Sequence, residues 1–190
     1  MSEGGTVHLI NGTTQESKKE EAIMTKISKI IALTGLIILA FCMSTIGNAV
    51  ADEARNERII ERNLEIWHNL NMDVADEIVA ENYVRYLIGG EVIRGREAYK
   101  KNVRDWMTTC PDTHWDMDIV VSQGDYVVVL YSGTGTHTGP GMGTPTGKKW
   151  KWSPLVIHRL AGGKMRECWV IGDNLGFMQQ LGYKLVPPSK

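Results

Sequence analysis

Glu167, Trp169, Ile171 and Asp173 follow one another at intervals of two near the end of the chain. In an extended segment residues so spaced point to one side, which puts a carboxylate on a face with an indole and an isoleucine. Desolvation in such an apolar wall raises a carboxylate's pKa, and a carboxyl poised near neutrality can give and take protons. The run before it, Trp150, Trp152, Pro154, Val156, His158 and Leu160, alternates in the same way and is apolar except for one imidazole. Neighbours across paired strands lie roughly 5 Å apart at Cβ, so antiparallel pairing of the two runs brings His158 towards the Asp173 face. A carboxylate and an imidazole in an apolar pocket form a minimal general acid/base pair. Such a pair suits proton abstraction beside a carbonyl, as in enolisation, isomerisation or aldol closure.

Each of these residues also has a plainer reading. Asp173 stands just before a short helical segment and can serve as its N-cap. His158 can be a core histidine, and His137, at the edge of a glycine-rich loop, fits a turn equally well. Glu167 fits a surface ion pair. Tryptophans are core mass first, and only some can line a cavity. Trp67, Trp152 and Trp169, with Tyr131 and His137, are the candidate substrate contacts, the aromatic rings being suited to stacking on flat molecules. His68, His114, His137 and His158 show neither H-x-H nor HExxH spacing, so no metal site is expected. Nucleophile elbow, phosphate loop and dinucleotide fingerprint are all missing, which disfavours hydride and phosphoryl chemistry.

The elements that must position these residues change period half-way along. Residues 52–69 carry Ile59, Ile60, Asn63, Leu64 and Trp67 at helical spacing. Asp73 can cap a second short helix running to Ala80. Tyr83–Leu87 reads as a short extended piece, and Gly89-Gly90 turns into a small strand around Val92-Ile93. A further helix spans Gly95–Thr109 and ends before Pro111. Thereafter the period is two. Strands are predicted over Thr113–Ser122, Tyr126–Thr138, Lys148–Leu160 and Lys164–Asp173, with a short terminal helix over Leu175–Leu181. Gln123-Gly124-Asp125 forms a hairpin turn, and Gly139–Gly147 a mobile loop. On the second strand Val127, Val129, Tyr131, Gly133, Gly135 and His137 share a side. Helices followed by a four-stranded antiparallel meander make an α+β fold, a curved sheet wrapped around N-terminal helices. Bent at its glycines, the sheet makes a cone with an interior pocket.

The chain has 190 residues, 21 Lys plus Arg against 22 Asp plus Glu, and a net charge of −1. With no basic stripe, nucleic acid is not an expected partner. Residues 24–51 follow the grammar of a secretory signal peptide: Lys26 and Lys29, the apolar run Ile30–Ile46, then Ala49-Val50-Ala51. The expected organisation is an over-long start or disordered extension at 1–23, a signal peptide at 24–51 and one domain at 52–190. Export to the periplasm or medium follows, with an uncleaved membrane anchor as the other reading. Cys110 and Cys168 remain in that domain, and spacing alone leaves open whether they pair.

Several short segments, in order, resemble one family. They are Trp67-His68-Asn69 with Asp73, Pro111-Asp112, Gly124-Asp125, Gly135-Thr136-His137-Thr138-Gly139, Thr146-Gly147-Lys148, and the block Gly163-Lys164, Glu167-x-Trp169, Asp173 and Gln180-Leu181-Gly182. Together they resemble the SnoaL-like polyketide cyclases, or ester cyclases, of the nuclear-transport-factor-2-like superfamily. The resemblance covers nearly all of 52–190, its last block being the most specific. It implies a cone-shaped α+β barrel, usually a homo-oligomer, with no metal or organic cofactor. It also implies ring closure by intramolecular aldol condensation, with Asp173 at the acid/base position and His158 at that of a supporting histidine. Two features depart from it: Tyr86 follows Tyr83-Val84-Arg85 where members often carry histidine, and the leader points outward whereas polyketide cyclases work inside the cell. The reading is an exported protein with an apolar pocket, acting by cofactor-independent acid/base catalysis on a small apolar or aromatic carbonyl compound. The alternative is a non-catalytic binding module of the same fold.

Overall fold

The computed structural model describes residues 7–186, with side chains at 16–39, 41, 43 and 52–186. The expected extension at 1–23 thus lies partly outside the described residues, and so do the side chains of the cleavage site at 49–51. The chain divides into two compact units, Met1–Ala49 and Val50–Lys190. In the first, the helical stretch Glu16–Leu39 is apolar and long enough, by length and composition, to cross a membrane.

The elements run α1 (Val7–Asn69), α2 (Met72–Ile78), β1 (Val79–Leu87), β2 (Val92–Arg94), α3 (Arg96–Thr109), β3 (His114–Gln123), β4 (Tyr126–Thr136), β5 (Lys149–Trp152), β6 (Leu155–Ala161), β7 (Lys164–Ile171) and α4 (Asn174–Gln180). Strands β3, β4, β6 and β7 form the expected antiparallel meander. The sheet is larger than that, with order β2-β1-β7-β6-β4-β3, and β1 lies parallel to β7. The strand expected over Lys148–Leu160 is two strands. Pro154, which has no N–H to offer a ladder, separates β5 from β6, and both pair with β4.

The curved sheet closes over the last turns of α1 and over α3. From α1, Ile59, Ile60, Ile66 and Trp67 are buried at helical spacing, with Asn56 and Asn63 on the same face. Both asparagines are bonded: Asn56 Nδ2 donates to the Gly124 carbonyl at 3.0 Å, and Asn63 Oδ1 accepts from the Tyr99 hydroxyl at 2.6 Å. Burying an amide without a partner costs roughly 1–3 kcal/mol, so these contacts fix the rotation of α1 against the sheet. On β4 the inward face is Val127, Val129, Tyr131, Gly133 and Gly135, as the alternation predicts.

Strand β7 departs from its predicted face. Met165 is buried, but after it the buried residues are Cys168 and Val170, whereas Glu167 and Trp169 are only partly covered and Ile171 is exposed. The ladder explains the change: Arg159 pairs with Glu167 and Leu160 with Met165, so Arg166 is an extra residue in β7. A bulge of one residue exchanges the two faces of a strand beyond it. The face bearing Glu167, Trp169 and Ile171 therefore looks away from the core, and Asp173 lies beyond the end of the strand.

Candidate functional site

His158 and Tyr131 mark the polar end of the cavity. Both sit on inward faces, His158 in the middle of β6 and Tyr131 on β4, and both are buried. Tyr131 Oη lies 3.4 Å from His158 Nε2, while His158 Nδ1 has no hydrogen-bond partner. Burial, helped by the nearby Arg85 cation, holds the His158 pKa at about 3, so its imidazole is neutral at physiological pH. Burial likewise pushes the Tyr131 phenol up, leaving a neutral hydroxyl.

A second set of contacts organises the opposite wall. Trp67 Nε1 donates to Tyr99 Oη at 3.0 Å, and the Tyr99 hydroxyl donates in turn to Asn63 Oδ1. The Arg85 guanidinium lies over the Trp67 ring at 5.4 Å and the Tyr99 ring at 6.0 Å. Tyr83 Oη donates to Cys168 Sγ at 2.9 Å, next to Arg85. Trp115 and Trp152 complete the enclosure with rings 6.0 Å apart.

The resulting cavity has two parts. An inner chamber of about 40 Å³ is lined by Asn63, Trp67, Arg85, Tyr131, Val156 and His158, among others. That is room for about one water molecule. An outer chamber of about 360 Å³ opens beyond Arg85, Trp115 and Trp152 towards Trp106, Met142 and Phe177. Its size falls within the range of roughly 300–1,000 Å³ typical of small-molecule pockets. The loop after β4 borders this opening through Met142. It is tied down by Gly139 N–H to the Thr109 carbonyl at 2.9 Å, by Thr109 Oγ1 to the Pro140 carbonyl at 2.7 Å, and by the Tyr183 hydroxyl to the Met142 carbonyl.

The structure distributes the expected site residues unevenly. His158, Tyr131, Trp67 and Trp152 meet in the cavity. His137 is fully buried, but it packs under the glycine loop, with Nδ1 3.3 Å from Thr146 Oγ1 and backbone bonds to Gly147 and Lys148. Asp173 and Trp169 are not in the pocket wall, which corrects the shared face expected for them. The exposed Asp173 carboxylate accepts the Gly176 N–H at 2.7 Å and caps α4. Trp169 stacks on Tyr86 across the β1–β7 pairing, ring centroids 5.5 Å apart, on the outer side of the sheet. Cys110 and Cys168 are both free and buried; Cys110 Sγ accepts from Trp150 Nε1 at 3.3 Å. Among the described residues no cluster of three or more His, Cys, Asp or Glu side chains could hold a metal ion.

Arg85, Asn63 and Trp115 are among the cavity residues that sequence reasoning did not assign to the site. A signal for Arg85 was present: Tyr83, Arg85 and Leu87 alternate, placing one cation between two large side chains on the inward side of β1.

The sequence profile of the SnoaL-like polyketide cyclases matches residues 57–181, well over half of the chain. The chain belongs to that family. Solved structures agree with this SnoaL-like assignment. IdmH of Streptomyces antibioticus, a candidate polyketide cyclase, is 26% identical with a TM-score of 0.60, over 67% of this chain and 99% of that one. TsrD of Streptomyces laurentii is 26% identical with a TM-score of 0.62, over 69% and 97%. A SnoaL-like polyketide cyclase from Agrobacterium tumefaciens strain C58, at 20% identity and a TM-score of 0.58 over 67% and 98%, shares the fold. No curated protein sequence matches the chain.

Proposed function

We propose that this SnoaL-like protein binds a small, largely apolar carbonyl compound in the two-part cavity and moves a proton on it without a cofactor, in a cyclisation, aldol or isomerisation step. The observation that carries this reading is the neutral His158 ring, with one nitrogen unpartnered and the other beside Tyr131, at the end of a tryptophan-walled cavity. An unpartnered buried imidazole nitrogen is costly to maintain unless a ligand group meets it. In this scheme His158 accepts a proton from the carbon next to the substrate carbonyl, and Tyr131 holds the ring in place. The charge that forms on the imidazole is opposed by burial and by Arg85, and it is supported by the negative charge growing on the substrate as its proton leaves. Asp173 has no step in the scheme.

The alternative, a binding module of the same fold without chemistry, is favoured by one observation. Among the described residues no carboxylate lines the inner chamber, and its imidazole is a weak base. The two readings separate on one experiment. Protein purified from its native source is weighed under native conditions, and any bound small molecule is then extracted by denaturation. Conversion of a retained carbonyl compound by the wild type but not by His158→Gln supports catalysis. Retention without conversion supports the binding module, and an empty, ligand-refusing protein overturns both.

Two further parts of the proposal concern where the protein works and in what state. Export is supported by the signal-like grammar of residues 24–51 and by the span-length apolar helix Glu16–Leu39; an uncleaved anchor is the minor reading. Homo-oligomer formation is supported by the outer face of the sheet. There Trp169, Tyr86, Ile157 and Ile171 form an apolar patch with Tyr126 and Ile88. Contiguous apolar surface of this kind marks contact with another protein surface, most often a second copy in a symmetric assembly.

A further inference from the structure

Arg85 is a half-buried cation in the cavity wall. Among the described residues no carboxylate stands within ion-pair range of it, and none lines the inner chamber. Its Nε is buried with no hydrogen-bond partner. The contacts it does make are weak substitutes: Cys168 Sγ at 3.9 Å from Nη1, the nearby Tyr83 and Tyr99 hydroxyls, and the faces of Trp67 and Tyr99. A guanidinium cannot shed its proton to escape this environment, and buried charges are ordinarily paired. Arg85 borders both the inner and the outer chamber, which puts its guanidinium within reach of a ligand there; the one carboxylate lining the outer chamber among the described residues, Glu91, forms no ion pair with it. The groups facing it across the inner chamber, His158 and Tyr131, are neutral.

We infer that the ligand of this cavity is an anion: a flat, apolar molecule bearing a carboxylate that pairs with Arg85 while its ring system lies among Trp67, Trp115 and Trp152. A planar fork of donors matches a carboxylate bidentately, and ring stacking accommodates the rest of the molecule. The inference rests on reading the cavity as a small-molecule site, and it adds the charge that the molecule must carry. The protein supplies one positive charge in a low-dielectric site and leaves the balancing negative charge to the ligand.

The test uses the full-length chain at neutral pH with two probes of nearly equal shape, 2-naphthoate and its neutral methyl ester, followed by tryptophan quenching and calorimetry. The expected result is that naphthoate binds at least roughly tenfold more tightly than the ester, as a charge-assisted pair implies. Arg85→Gln should remove this preference, while Arg85→Lys should keep part of it. Equal binding of acid and ester by the wild type overturns the inference and leaves the pocket reading standing. A preference that survives Arg85→Gln overturns the assignment to Arg85. Failure of both probes to bind overturns the inference together with the pocket reading. The acid–ester comparison needs only the wild type, so a variant that fails to fold does not remove the test.

Discussion

His158 stands directly across the β6–β7 ladder from Cys168. Directly opposed residues share a face, so the imidazole looks at a thiol and the cation beside it. Trp169 belongs to the other side, and Asp173 lies beyond the strand as a helix cap. The chemistry of the cavity is therefore that of a neutral imidazole, a phenol and a guanidinium.

The burial of His158 predicts how stability responds to acid. Its folded-state pKa of about 3 lies below the value near 6.5 of an exposed histidine. Between those values the unfolded chain binds the extra proton, so stability rises with pH through that window and levels off above it. The slope should approach about 1.4 kcal/mol per pH unit. Asp76 and Asp112 are held below the usual carboxylate range by hydrogen bonds from Lys100 and Thr136, so their contribution is lost only at lower pH. Urea titrations between roughly pH 4.5 and 6.5 should show the slope in the wild type. His158→Gln should leave only the smaller, same-signed part due to His68, whose pKa burial lowers.

Asp173 separates capping from chemistry. Asp173→Ala should lower stability by about 1 kcal/mol through loss of the α4 cap, and Asp173→Asn by much less, because asparagine caps as well. Ligand affinity should be unchanged in both variants. If Asp173→Asn stops turnover with the fold intact, the carboxylate acts chemically despite its place outside the cavity.

Tyr131→Phe removes the only hydrogen-bond partner that His158 has among the described side chains. The cost should be about 1 kcal/mol in denaturant melts. The freed ring should show a changed tautomer ratio in nitrogen NMR. Turnover should fall more than ligand affinity, since the hydroxyl orients the ring.

The outer patch should respond to charge. Trp169→Glu places a carboxylate on the face shared with Tyr86 and Ile157. Sedimentation should show the wild type associating, as proposed, and the variant as a monomer with its melting temperature preserved. An unchanged oligomer would place the interface elsewhere.

The proposed export makes a prediction about mass. Protein taken from its own envelope or medium should begin at Asp52, and its intact mass should fall short of the full chain by residues 1–51. A full-length species that partitions with membranes would instead identify Glu16–Leu39 as an anchor.

Much of this architecture was legible because patterns repeat. The β4 face from Val127 to Gly135 and the α1 face from Ile59 to Trp67 are runs in which period and burial agree. What was hidden depends on one residue each. Arg166 is the extra residue of the β7 bulge, and the apolar stretch Cys168–Ile171 that follows reads equally well on either face. Pro154 splits a strand whose alternation continues through the break. The alternation of Tyr83, Arg85 and Leu87 hints at the place of Arg85, but nothing local reveals that β1 joins β7 in parallel and becomes an inner strand of the sheet.

Gly133 and Trp115 face one another across the β3–β4 ladder, and the indole occupies the space where a side chain at 133 would begin. Neither position is then free to vary alone. Adding a methyl group at 133 evicts the ring, and shrinking the ring leaves a hole over the glycine. Among relatives the two should drift as a matched pair, large with small, and a lineage that exchanged them would move the aromatic wall from β3 to β4 and so reshape what the cavity accepts.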